Sequence, residues 1–205
     1  MKVKVCGLNN PSNIMELTNA GVNFFGFIFY KKSPRYCAHM LDGAFIRDLH
    51  HSIKRVGVFV NADEYEIMEI AAQYYLDYVQ LHGEESPEFC SRLNQHLSVI
   101  KAISIGNDLN KSYLNQYKDS CEYFLFDTKT KLRGGSGRKF DWRVLEDYTL
   151  DKPFFLSGGI SLEDVEAIKE IQHPQLIGID INSRFESVPG IKNVQVVKEF
   201  IQQIK

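Results

Sequence analysis

The sequence predicts an α/β fold: a single (β/α)8 barrel, parallel and eight-stranded, occupying residues 1–205 as one domain. Three observations carry this. Strand-like apolar runs and helix-like segments alternate from one end to the other, and such alternation implies helical crossovers joining parallel strands. Eight strand–helix units can be counted, the number that closes a barrel of this class. No Gly-x-Gly-x-x-Gly follows the first strand, which argues against the rival, an open doubly wound dinucleotide-binding sheet. At 205 residues the barrel is compact against the roughly 250 usual for the class, so its loops must be short.

The elements follow in order. Val3–Cys6 is a β-branched first strand, and Pro11–Ala20 a helix with Pro11 in its first turn and Gly21 just past its end. Phe24–Phe29 is the second strand, Met40–His50 the second helix and Arg55–Val60 the third strand. Asp63 caps a helix running to Tyr75, with Glu66 three residues on completing a box-like start. Tyr78–Leu81 is the fourth strand, Ser86-Pro87 opens a helix to about Leu97, and Val99–Ile103 is the fifth strand. A weaker, polar helix spans Leu109–Tyr117. Tyr123–Phe126 is the sixth strand, with Asp141–Tyr148 as its helix. Phe154–Leu156 precedes a helix over Ser161–Glu170, and Ile177–Ile181 precedes the closing helix Val194–Ile204.

Composition narrows the function. The chain is 44% hydrophobic with a net charge of −2, unlike a dedicated nucleic-acid binder. No apolar run approaches the roughly 20 residues of a membrane span, and Met-Lys-Val-Lys-Val-Cys-Gly begins as a strand without a signal-peptide pattern. Four dispersed cysteines without Cys-x-x-Cys spacing fit a reduced, cytoplasmic setting. The six histidines show no metal-ligand spacing, and neither a P-loop nor a Gly-x-Ser-x-Gly elbow is present.

Parallel strands buried on both faces should read almost wholly apolar, and several here do not. Lys4 and Cys6 share a face of strand one, and Gln80 and His82 a face of strand four. Lys101 interrupts strand five, Asp127 ends strand six and Asp180 sits late in strand eight. Buried charges should pair. Lys101 reads as part of a structural polar network. Cys6 and Asp127, at C-terminal strand ends where barrel chemistry sits, read as functional. A thiol with an ordinary pKa near 8.5 is only partly ionised at neutral pH, so Lys4, two residues away on the same face, is expected to help hold Cys6 as a base.

Two loops suit an anion. Leu156-Ser157-Gly158-Gly159-Ile160 ends strand seven before a helix start, and Asp180-Ile181-Asn182-Ser183-Arg184 ends strand eight. Paired glycines let backbone N–H groups approach a phosphate, and loops after strands seven and eight form phosphate sites in such barrels. A Gly-Gly pair is also a common plain turn. Arg35, after strand two, can grip a carboxylate with its fork or be a solvated loop charge. The glycine-rich loop 129–139 holds Lys129, Lys131, Arg133, Arg138 and Lys139. It reads as a lid or as a steering patch for a polyanionic small substrate, ahead of a nucleic-acid contact, because aromatic interleaving is absent.

Taken together, these segments resemble the phosphoribosylanthranilate isomerase family of tryptophan biosynthesis. The matches are Val3-Lys4-Val5-Cys6-Gly7-Leu8, Gly26-Phe27-Ile28-Phe29 with Ser33-Pro34-Arg35-Tyr36, and Val56-Gly57-Val58-Phe59-Val60-Asn61. They continue through Val79-Gln80-Leu81-His82-Gly83, Phe126-Asp127, Gly134-Gly135-Ser136-Gly137 with Phe140-Asp141-Trp142, and Leu156-Ser157-Gly158-Gly159-Ile160. Asp180-Ile181-Asn182-Ser183 with Glu186 and Pro189-Gly190 completes the ordered set. The resemblance implies an Amadori rearrangement of N-(5'-phosphoribosyl)anthranilate without cofactor or metal. Asp127 would be the general acid and Cys6 the general base. Arg35 would bind the anthranilate carboxylate, and Gly158, Gly159 and Ser183 the phosphate, with His82 and Asp180 among the substrate-binding residues. Such an acid must be protonated near neutral pH, which burial or nearby negative charge would favour.

The chain departs from the family where Asn182-Ser183-Arg184-Phe185-Glu186 stands for the usual Ser-Ser-Gly-Val-Glu, and where Asn193 stands for an aspartate. The alternatives are another sugar-phosphate isomerase or synthase on a phosphate-binding barrel, or a non-catalytic binder of anionic metabolites or nucleic acid. Monomer and homodimer stay equally open.

Overall fold

The computed structural model describes residues 1–128 and 139–205. Eight parallel strands close into a barrel in sequence order: β1 (Lys2–Val5), β2 (Phe24–Ile28), β3 (Lys54–Phe59), β4 (Tyr78–Leu81), β5 (Ser98–Ile105), β6 (Tyr123–Thr128), β7 (Phe154–Leu156) and β8 (Leu176–Ile181). The seam joins β8 to β1, with Lys4 directly opposite Asp180. Because every strand runs the same way, Cys6 after β1, His82 after β4, Asp127 in β6 and Gly158 after β7 all lie toward one rim.

The helices are α1 (Pro11–Leu17), α2 (Gly43–Arg47), α3 (Glu64–Gln73), α4 (Pro87–Asn94), α5 (Lys111–Tyr117), α6 (Val165–Lys169) and α7 (Val194–Ile204). Their starts obey local chemistry. Asp63 accepts the Glu66 amide ahead of α3, Ser86 accepts the Phe89 amide before Pro87 opens α4, and Asn193 accepts the Val196 amide at α7. Asn193 therefore does the capping work an aspartate would do. In α7 the buried residues Val197, Phe200, Ile201 and Ile204 recur at the helical period. Each such fully buried side chain contributes about 1.5–3 kcal/mol, so packing rather than propensity anchors this helix.

Two hydrophobic layers result. The larger lies between strands and helices. The smaller fills the barrel with Phe24, Val56, Ile100, Ala102, Leu125 and Phe155, flanked by Tyr78 and Tyr123. Phe24 and Phe155 meet edge to face at 5.2 Å, and Lys2 Nζ lies 5.9 Å from the Phe24 and Tyr123 rings. This aromatic floor occupies the N-terminal half of the strands. The polar inward residues sit above it.

Three differences from the sequence reading matter. Strand β6 extends to Thr128, past the expected Phe126, so Asp127 lies within the strand rather than at its end. The helix expected over 141–148 is a 3-10 turn, Trp142–Asp147, because Asp141 accepts from the Arg143 amide two residues on rather than capping a full α turn. A short antiparallel hairpin, β9 (Glu186–Val188) with β10 (Ile191–Lys192), follows β8. Pro189-Gly190 turns it, a standard turn pair.

Candidate active site at the C-terminal mouth of the barrel

Strand pairing builds the first half of the site. Lys4 Nζ is 2.8 Å from Asp180 Oδ1, its neighbour across the seam, and Ser157 donates to Asp180 Oδ2 at 3.1 Å. Burial pulls the Lys4 ammonium down, but Asp180, and Cys6 after it, outweigh this and leave it above the ordinary lysine value. A Cβ added at Gly26 would lie 2.8 Å from Cys6 Sγ and 3.1 Å from Lys4 Nζ. Thiol and ammonium thus share the space that glycine leaves on β2. Cys6 is only 4% exposed. Burial pushes its thiol up, Lys4 and Lys192 pull it down, Asp180 adds to the rise, and the sum lies above the usual thiol value. Lys4 acts in the expected direction without overcoming burial.

The second half centres on Asp127, whose side chain is 17% exposed. Its Oδ1 accepts the Thr128 amide at 2.8 Å, and its Oδ2 lies 3.2 Å from His82 Nε2. On the far side of that ring, Gln80 Nε2 is 2.9 Å from His82 Nδ1. Gly158, at φ +94°, packs beneath the carboxyl, where an added Cβ would stand 2.9 Å from Asp127 Oδ1 and still closer to Thr128. Gly159 also adopts positive φ, +69°, and Ser183 opens a 3-10 turn, Ser183–Phe185, at the end of β8. His82, expected to meet substrate, here meets Asp127. Asp180, expected in the same role, is buried between Lys4 and Ser157.

Arg35 is neither solvated nor open. Its Nε lies 2.9 Å from Glu186 Oε1, and its Nη2 2.6 Å from Oε2. The fork expected for a ligand carboxylate is engaged by one of the chain's own. Glu186 also receives Lys192 Nζ at 2.6 Å, and that ammonium reaches Asn182 Oδ1 at 2.7 Å. Burial pushes Glu186 up, but Arg35 and Lys192 outweigh it and hold the carboxyl below its usual range. Lys192, wholly buried, is pushed down to about 8 by burial against the pull of Glu186. Sequence reasoning missed Lys192, since Gly190-Ile191-Lys192-Asn193 carries no signal without the hairpin that turns it inward.

Lys101 behaves as the structural residue expected. Its Nζ bonds Glu85 Oε2 at 2.8 Å and the carbonyls of Gly83 and Leu81. Glu85, unremarked in the sequence, also accepts the amides of Asn61 and Gly83. Of the basic loop, residues 129–138 lie outside the described residues, as do Gly134–Gly137 and the lid reading they support. Lys139 pairs with Asp164, which in turn accepts the Ser161 amide. A cavity of about 700 Å³ lined by Trp142, Asp164 and His173 includes Lys139 of the basic loop but neither Cys6 nor Asp127. Among the described residues, no group of three His, Cys, Asp or Glu side chains is placed to hold a metal, and no helix is long and apolar enough to cross a membrane.

The arrangement juxtaposes a thiol beside an ammonium, a carboxyl beside an imidazole, and glycine amides at the same mouth. Known proteins share the barrel that carries it. The family model for N-(5'phosphoribosyl)anthranilate (PRA) isomerase matches residues 3–203. An N-(5'-phosphoribosyl)anthranilate isomerase of Parabacteroides distasonis is 46% identical over all of this chain and 93% of its own length. A crystal structure of the Thermotoga maritima phosphoribosyl anthranilate isomerase superposes with a TM-score of 0.88 at 34% identity, covering 100% of this chain and 98% of that one. A phosphoribosyl anthranilate isomerase in complex with reduced 1-(o-carboxyphenylamino)-1-deoxyribulose 5-phosphate gives 0.83 at 31%, with the same coverage. With its barrel closed in the same way and the match running almost from end to end, the chain belongs to the N-(5'-phosphoribosyl)anthranilate isomerase family.

Proposed function

We propose that this protein, acting as one (β/α)8 domain in the cytoplasm, converts N-(5'-phosphoribosyl)anthranilate to 1-(2-carboxyphenylamino)-1-deoxyribulose 5-phosphate in tryptophan biosynthesis. The observation that carries the reading is the convergence of Cys6 and Asp127 on one rim of a closed parallel barrel, within a chain that matches this family over its length. The reaction is an Amadori rearrangement, an aldose–ketose isomerisation that needs an acid and a base and no cofactor.

Asp127 gives its proton to the furanose ring oxygen. The bond from that oxygen to C1' breaks, and the nitrogen lone pair forms the C=N bond of an iminium. Cys6, as thiolate, then takes the C2' proton, the C–H electron pair moves to make the enolamine, and tautomerisation delivers the ketone. The ammonium of Lys4 stands beside the sulfur to favour its anion. The substrate's phosphate would lie on the loops of Gly158, Gly159 and Ser183. Its carboxylate would meet Arg35 at the donor edge left by Glu186, with His82 lining the space between and Asp180 acting through Lys4, which it holds at 2.8 Å.

Turnover of N-(5'-phosphoribosyl)anthranilate by the purified protein tests the reading. Conversion that is lost in both Cys6→Ala and Asp127→Asn supports it. A folded wild-type protein with no turnover, or full turnover in Cys6→Ala, overturns it.

A further inference from the structure

Gln80 is a buried side chain that the reaction steps above do not use. It is 1% exposed, its Nε2 lies 2.9 Å from His82 Nδ1, and among the described residues its Oε1 has no hydrogen-bond partner. A buried polar atom left unpaired calls for an explanation. An apolar side chain of the same length would avoid the loss, so the amide is there for its other end.

That end addresses a ring with two possible proton positions. In neutral imidazole one nitrogen donates and the other accepts. An amide N–H pointed at Nδ1 requires a lone pair there, which places the ring proton on Nε2. The other neighbour asks for the same. Asp127 Oδ2 stands 3.2 Å from Nε2; a bare nitrogen there would repel the carboxylate and, when the carboxyl is protonated, would accept its proton and turn it away from a substrate. The second Asp127 oxygen already receives the Thr128 amide.

We propose that Gln80 is a positioning residue that fixes His82 as the Nε2-protonated tautomer, so that an N–H faces the carboxyl of Asp127. This rests on the reading of Asp127 as the acid. As Asp127 releases its proton to the ring oxygen, negative charge grows on its two oxygens, and the His82 and Thr128 N–H groups are already aimed at them. Donors placed where charge develops lower the barrier without reorganising. With the other tautomer, one of the two would be a lone pair.

The test is carried by Gln80→Met, which keeps length and removes the donor, and by Gln80→Glu, which replaces the donor with an acceptor. The first readout is the imidazole nitrogen resonances of His82 in the free, isotope-labelled protein. Wild type is expected to show Nε2 protonated and Nδ1 bare. Gln80→Glu moves the proton to Nδ1 or adds one there, and Gln80→Met gives a mixture. The second readout is turnover: kcat falls roughly ten- to a hundredfold in both variants, as for other lost orienting contacts, while KM stays within about twofold. If Gln80→Met fails to fold, Gln80→Glu carries both readouts. A wild-type His82 protonated on Nδ1, or variants with unchanged resonances and kcat, overturns the proposal. The resonances need no substrate, so a failure of the isomerase reading would appear separately, as wild-type protein without turnover.

Discussion

Removing the Glu85 carboxylate should cost more stability than truncating its partner Lys101. Glu85 Oε2 holds Lys101 Nζ at 2.8 Å, and its oxygens accept the amide of Asn61 at 2.9 Å and of Gly83 at 3.0 Å. Both side chains of the ion pair are nearly or wholly enclosed. Glu85→Ala therefore strands a buried ammonium and two backbone N–H groups at once. Breaking one partner of a buried pair costs about 3–5 kcal/mol, a large share of the roughly 5–15 kcal/mol that holds a domain together. At about 2–4 °C per kcal/mol for a chain of this size, the melting midpoint should drop by roughly 6–20 °C. Lys101→Met leaves the carboxylate with its amide donors and should cost less. The double variant Glu85→Leu with Lys101→Met should recover part of the loss, because no charge is then left alone. Urea and thermal unfolding of the four proteins provide the assay. A Glu85→Ala loss below about 1 kcal/mol would contradict the role assigned to this pair, as would a double variant no better than the single. The sign in pH is also set. Burial pushes the Glu85 carboxyl up, but Lys101 and the amides hold it below its usual range. Its contribution is thus present above the unfolded carboxyl value of about 4.3 and fades as pH falls through the lower folded one.

Cys6→Ala and Asp127→Asn should each lower kcat by about 10²–10⁴ while leaving the melting midpoint near wild type, checked by steady-state turnover and calorimetry. Gly158→Ala should abolish most activity and destabilise by about 1–3 kcal/mol, because a Cβ there at φ +94° meets the Thr128 backbone nitrogen at 2.7 Å; a well-folded, active variant would refute the packing. The pH profile of Cys6 alkylation should lie to the alkaline side of a free thiol, since burial pushes it up, and Lys4→Met should move it further the same way. Burial also pushes Cys90 up to about 11 and Cys121 to about 12. Their folded forms keep protons that the unfolded chain loses near 8.5, so stability should fall with rising pH from there upward, read as the urea midpoint.

Where a residue's position is written by its place on a strand, the sequence was enough. The inward face of β1 announced Lys4 and Cys6 by breaking an apolar run, and the expectation that buried charges pair, made without naming partners, is met by Lys4 and Asp180 at 2.8 Å. Helix caps at Asp63 and Ser86 were equally readable, because a cap is a contact over three residues. The Arg35–Glu186–Lys192 cluster was not. It joins residues 151 positions apart through a hairpin whose strands, at three residues and two, are too short to show a period. The 3-10 turn after β6 was missed for a related reason: Asp141 reads as a cap in either helix type, and only the geometry of its bond to Arg143 decides. Glu85 escaped notice because it sits in a loop, where an acidic residue is ordinarily solvated.

The Asn13 side chain of α1 gives a hydrogen bond to the Lys192 carbonyl at 2.9 Å and takes one from the Lys192 amide at 2.7 Å. This two-way clasp ties the first crossover to the final hairpin. On the ribosome, the early strands have nothing to clasp until residue 192 has emerged. Arg35 has no Glu186 to hold it, and Cys6 no second ammonium nearby. The candidate pocket is thus among the last parts of the molecule to be completed during synthesis, although Cys6 is among the first residues made.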